Sequence, residues 1–141
     1  MLHLVKLVVG VSSIEELVAR QAQQDNTRLC AGFDDPLPVV HTRHYPRQRE
    51  ALLKGGSLYR VIKGMIVCRQ ALEAIEKEVR PDGHEETILF LSAILIRVEA
   101  RPMRPFQGWR YLSATDTPAD QEPVSVDSSQ SLLQDLAKLG L

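Results

Sequence analysis

His41, Arg43, His44 and Arg47 fall within a span of seven residues, and no other stretch of the chain has side chains better suited to chemistry. Two imidazoles beside guanidinium groups suit metal-free general acid and base catalysis on a phosphodiester, with arginine holding the anionic transition state. On a strand, however, His41 and His44 lie on opposite faces, and only Arg43 joins His41. His41-Thr42 also departs from the His-x-Thr pattern of phosphoesterases. The two histidines are therefore weak catalytic candidates, with hydrogen-bonded surface or anion-binding roles as the competing readings. His3, Cys30, His41, His44, Cys68 and His84 show no metal-ligand spacing, and Cys30 and Cys68 no redox spacing. With no Walker loop, Gly-x-Gly-x-x-Gly or Gly-x-Ser-x-Gly present, neither metal nor cofactor is expected.

Charge is distributed unevenly along the chain. The formal net charge is −1, yet residues 41–69 with 97–111 carry eleven basic side chains against two acidic ones, Glu50 and Glu99. A fold that gathers these two segments would make a positive patch on a near-neutral protein, attractive to phosphate or another anion. Solvated surface arginines are the plainer alternative. Trp109, Tyr111 and Tyr59 add faces on which an unpaired base can stack. On a strand Trp109 and Tyr111 share a side and Arg110 takes the other. The nucleic-acid or anion contacts expected are Arg43, Arg47, Arg60, Lys63, Arg69, Arg104, Trp109 and Arg110. Burial of the aromatics in the core is the competing reading.

The elements that must position these residues follow from apolar pattern and punctuation. Leu2 to Val9 reads as a strand covered on much of both faces. Ser12 with Glu15, or Ser13 with Glu16, offers a capping box for an amphipathic helix through Gln24. Asp25 to Pro38 is a loop by its Asn, Asp, Gly and Pro content. A strand follows over Val39 to Tyr45, then a short helix over Arg47 to Lys54, stopped by Gly55-Gly56. Leu58 to Ile62 is a short β-rich run closed by glycines. From Met65 to Val79 the signals conflict, since propensity favours a helix from about Gln70 while a long strand returning from Gly64 competes. Pro81-Asp82-Gly83 is a turn, and Thr87 to Val98 a buried strand or strand pair. Arg101 to Pro105 is extended and basic.

Beyond Leu112 the composition turns polar, so residues 1–113 read as one α+β domain, 114–126 as a flexible acidic linker and 127–141 as a C-terminal amphipathic helix. The Leu132, Leu133, Leu136 and Leu139 stripe of that helix needs a partner, either the domain's own surface or a second copy of the chain. The apolar amino terminus has no basic leader region and is too short to span a bilayer, which points to a cytoplasmic protein with no membrane partner.

Two stretches, Gly55-Gly56-Ser57-Leu58-Tyr59 through Val61-Ile62-Lys63-Gly64, and Phe106-Gln107-Gly108-Trp109-Arg110-Tyr111-Leu112, together with Arg69-Gln70, resemble a small family of uncharacterised alphaproteobacterial proteins known only as a domain of unknown function. The resemblance covers the chain from the first strand to about Pro118 and implies no activity. It also implies an aromatic where this chain has Arg60, which removes a two-aromatic platform with Tyr59. The layout is similar to PUA-like and ASCH-type small β-barrels, in which a helix ends at Gly-Gly before an edge strand, a hairpin and a closing strand. That similarity implies a mostly antiparallel barrel flanked by two or three helices, binding RNA or modified bases in a basic cleft. The expected function is a non-catalytic module for RNA or a phosphate-bearing small ligand. A homodimerising interaction module and a small phosphodiesterase centred on His41 and His44 are the alternatives.

Overall fold

The computed structural model describes residues 1–125. The helix expected over 127–141, and the dimer contact built on it, lie outside the described residues. In chain order the elements are β1 (Leu2–Leu7), α1 (Ile14–Gln21), β2 (Thr27–Arg28), β3 (Leu37–Thr42), α2 (Arg49–Leu52), β4 (Ser57–Ile62), β5 (Met65–Val79), β6 (Glu85–Pro102), β7 (Trp109–Ser113) and β8 (Asp120–Ser125). The strands form a mixed sheet in the order β2-β3-β6-β5-β4-β1-β7, and β8 also pairs with β6. The α+β class holds in a strand-rich form, but the sheet does not close into a barrel. Its pairing is mostly antiparallel, as expected, with β1 running parallel to β4 and Leu4 opposite Leu58.

Every residue of β4 is buried, as its place between β1 and β5 requires. One face of the sheet carries Leu4, Leu58, Leu72, Ile75, Leu89 and Leu91 around Leu52 of α2, and beside them Ile62, Cys68 and Leu95 under Ile14, Leu17 and Val18 of α1. The other face packs Val5, Tyr59, Val61, Ile66, Val98 and Leu112 against Met103 and Phe106. The capping expectation for α1 is met at Ser13, whose hydroxyl accepts from the Glu16 N–H, while Ser12 donates twice to the Glu16 carboxylate. The expected helix over Arg47 to Lys54 shrinks to the single turn of α2. Gly56 must stay bare there, since a Cβ would collide with the carbonyl oxygens of Leu52 and Leu2.

The helix favored from Gln70 is corrected: Met65–Val79 is one continuous strand. Its period of two is broken by two bulges. Arg60 and Val61 pair with Cys68 and Ile66, leaving Val67 as an extra residue, and Leu72 and Ala74 pair with Leu91 and Phe90, leaving Glu73 extra. Each extra residue flips the phase of the side chains, so Leu72 and Ile75 end up on one face at helical spacing. Thr87 to Val98 is likewise part of a single 18-residue strand. Asp120–Ser125, expected within a flexible linker, lies along β6 with Leu95 opposite Val124 and Val98 opposite Asp120. Its anchor is Asp120, which accepts from Arg69 Nε at 2.8 Å and Nη2 at 2.7 Å. No helix among the described residues is long and apolar enough to cross a membrane.

Candidate ligand-binding cleft

Gly108, at φ 71°, turns the chain into β7, which pairs with β1 so that Trp109 faces Lys6 and Tyr111 faces Leu4. The alternation of the strand puts the indole and phenol on one side, edge to face, with ring centroids 4.9 Å apart at 72°. Both rings use their polar atom on the segment that follows β3. Trp109 Nε1 donates to the His44 carbonyl at 2.7 Å, and Tyr111 Oη accepts from the Gln48 N–H at 3.1 Å. Between that segment and β7 lies a cleft of about 470 Å³ lined by His44, Tyr45, Arg47, Gln48, Trp109 and Tyr111. The Lys77 ammonium sits 4.7 Å from the centroid of the Tyr45 ring, adding a cation beside the aromatic wall.

Of the expected contacts, this cleft brings together Arg47 and Trp109, along with His44. The others are dispersed. Arg43 lines a second cleft of about 740 Å³ with His41, Thr42, Arg80, Asp82, His84, Glu85 and Glu86. Arg69 is committed to Asp120 and to the Ser57 hydroxyl at 2.7 Å. Arg60 is buried, with 5% of its surface exposed. Lys63 occupies the β4–β5 turn at φ 51°. Arg104 is exposed between β6 and β7. Arg110 points away from Trp109 and lies 4.7 Å from the centroid of the Phe106 ring. Among the described residues no single basic cleft collects all eight, because six of these side chains are buried, have structural partners or occupy separate surfaces.

His41 and His44 open onto different clefts, so the two imidazoles do not meet at one centre. His41 Nδ1 instead lies 3.1 Å from Glu86 Oε1, and a ligand atom from each of His41, Glu78 and Glu86 falls within 4.8 Å of the others. Glu78 and Glu86 are directly opposed across β5 and β6, an arrangement that repels. Arg28 at 2.9 Å offsets the first, and His41 adjoins the second. Sequence reading missed Tyr45 and Gln48 as cleft residues. The expected strand over Val39 to Tyr45 ends already at Thr42, and the Tyr45-Pro46 pair lies in the irregular segment after it that β7 holds through His44 and Gln48.

Residues 4–141 match the family model described as protein of unknown function, DUF1489. The chain belongs to the DUF1489 family. No curated protein and no solved structure matches it. Within this DUF1489 chain the two stretches singled out in the sequence have separate tasks: Gly55 to Gly64 supplies the most buried strand, and Phe106 to Leu112 supplies the aromatic wall of the cleft. Family membership carries no activity with it, so function has to be argued from the cleft.

Proposed function

We propose that the chain is a non-catalytic cytoplasmic module that binds an unpaired RNA base or a nucleotide at the Trp109–Tyr111 wall, with Arg47 and His44 beside its phosphate. One observation carries this reading: both aromatic residues spend their polar atoms on the 44–48 segment, which holds two rings at the mouth of a cleft that also contains the Arg47 guanidinium, unpaired among the described residues. Pre-held rings stack on a base with little loss of side-chain freedom, and stacking tolerates any base. Arg47 supplies the charge that neutralises a phosphate. The helix, Gly-Gly, strand and hairpin order that is similar to PUA-like proteins supports the same reading at the level of layout alone.

The test uses Trp109, the only tryptophan, as reporter. Short single-stranded RNA and mononucleotides are titrated at low and then moderate salt, and quenching should be saturable and weaken with salt. Tyr111→Ala should cost about 1–3 kcal/mol of binding if it stacks on a base. Absence of quenching, together with silence in an independent binding assay at low salt, would refute the reading.

A further inference from the structure

The face of the sheet beneath α1 holds a buried charge with no counterpart among the described residues. Register places Lys6 of β1 opposite Arg60 of β4, Arg60 opposite Cys68 of β5, and Cys68 opposite Arg97 of β6. Residues opposed in register point to the same side, so these four side chains form one row across four strands. Arg60 is 5% exposed, and its Nε and Nη1 have no hydrogen-bond partner among the described residues. Burial lowers its pKa to about 10, so it still carries its charge at neutral pH. Cys68 does not balance it, because burial pushes the thiol up to about 12 and keeps it neutral.

The other groups around Arg60 add to the imbalance. Lys6, half-buried, has its pKa lowered by burial and by Arg60 itself. Arg20 reaches over from α1 and donates to the Val9 carbonyl, and the bare Gly10 makes room for its guanidinium. Arg97 is taken by Glu15 at 2.6 Å, and Glu16 is bonded to Ser12 at the exposed start of α1. Lys6, Arg20 and Arg60 therefore have no carboxylate within ion-pair distance among the described residues. A buried charge without a partner is strongly destabilising, and proteins seldom keep one without something to neutralise it.

We propose that Lys6, Arg20 and Arg60 form a binding site for a tetrahedral oxyanion, phosphate or sulfate, between the sheet and α1. The cations come from three elements, and the free N–H groups of Arg60 lie on different edges of the guanidinium. An ion with several acceptor oxygens answers donors in different directions, which a single-atom anion does less well. Lys6 and Arg20 are both only half-buried, whereas Arg60 is buried. Trp109 is opposite Lys6 on the neighbouring strand, so this site adjoins the aromatic cleft, but it stands whether or not a base stacks there.

The experiment is thermal unfolding of the full chain in phosphate-free and sulfate-free buffer, titrated with sodium phosphate against sodium chloride at matched ionic strength. Phosphate should raise Tm saturably by a few degrees beyond chloride, as ligand linkage requires. Arg60→Met should melt above the wild type without phosphate and show no phosphate response, since an apolar isostere removes the unpaired charge. Lys6→Met, a partly exposed site, should weaken the apparent affinity at least tenfold. Equal effects of phosphate and chloride on the wild type would overturn the proposal, as would an Arg60→Met protein that responds like the wild type. Should Arg60→Met fail to fold, an unchanged response in Lys6→Met overturns it. A response lost in Arg47→Ala and kept in Lys6→Met would move the anion to the aromatic cleft and overturn it as well.

Discussion

Gln21 of α1 and Gln70 of β5 are both buried, and each side-chain amide donates to the carbonyl of the other, at 2.9 and 2.8 Å. Gln70 Nε2 also donates to the Ser92 carbonyl at 2.9 Å. In Gln21→Leu, Gln70 keeps Ser92 but loses the donor to its Oε1 and one acceptor for its amide. One or two buried groups left unpaired should cost about 2–3 kcal/mol. Gln70→Leu strands the Gln21 amide and the Ser92 carbonyl, and about 2–4 kcal/mol is expected on the same grounds. The double variant Gln21→Leu/Gln70→Leu replaces both amides by apolar groups of similar size, leaves only Ser92 without its donor, and should lose no more than about 1.5 kcal/mol. Urea unfolding followed by Trp109 fluorescence gives all four corners of the cycle, with an unchanged m-value as the sign that folded and unfolded states are comparable. The expected coupling is about 2 kcal/mol or more. A coupling below about 0.5 kcal/mol would refute the paired-amide account and with it the seating of α1 over β5.

Gly56→Ala should destabilise by about 3 kcal/mol, because its Cβ meets two backbone carbonyls, whereas Gly83→Ala, at φ +88° in open space, should cost only about 1 kcal/mol; urea midpoints compare them. His3 is buried and accepts from the Ser57 N–H through Nδ1, and burial first, then Arg69, depress its pKa from 6.5. Below pH 6.5 the unfolded chain takes up a proton that the folded state resists, so stability should fall from there down through the lowered folded pKa. His3→Asn should flatten that part of the pH profile, and an unchanged slope would exclude His3 as its source. Cys30 and Cys68 are buried and their thiol pKa values are raised, so neither should react with a thiol reagent at pH 8 within minutes until urea is added.

Local signals in the sequence were sufficient wherever an element is decided by its own residues. Ser13 and Glu16 cap α1, Pro81 to Gly83 turn the β5–β6 hairpin, and Trp109 and Tyr111 share a side because a strand alternates. What the sequence concealed depends on partners far along the chain. The helical spacing of Leu72 and Ile75 is produced by a bulge against β6, and β8 is polar because it lies on an edge, held by Arg69 from a strand 51 residues earlier. The site divides in the same way. Arg47 and Trp109 were legible as partners in type, but Arg60 looked like a surface cation because nothing local marks a strand that is buried along its whole length. Even the basic excess of residues 41–69 and 97–111 scattered, since neighbouring positions on a strand point to opposite faces.

The interior position of β1 bears on how the chain assembles during synthesis. β1 is made early, yet it pairs with nothing nearby in sequence: Leu4 waits for Leu58, and His3 for Leu112. Until β7 has left the ribosome, an apolar strand has at least one unsatisfied edge, and the sheet cannot complete its order. Such long-range pairing slows folding and leaves strand edges open to other nascent chains. Refolding of this domain should therefore be slow for its size, and its yield should fall with protein concentration more steeply than that of a sheet built from consecutive hairpins.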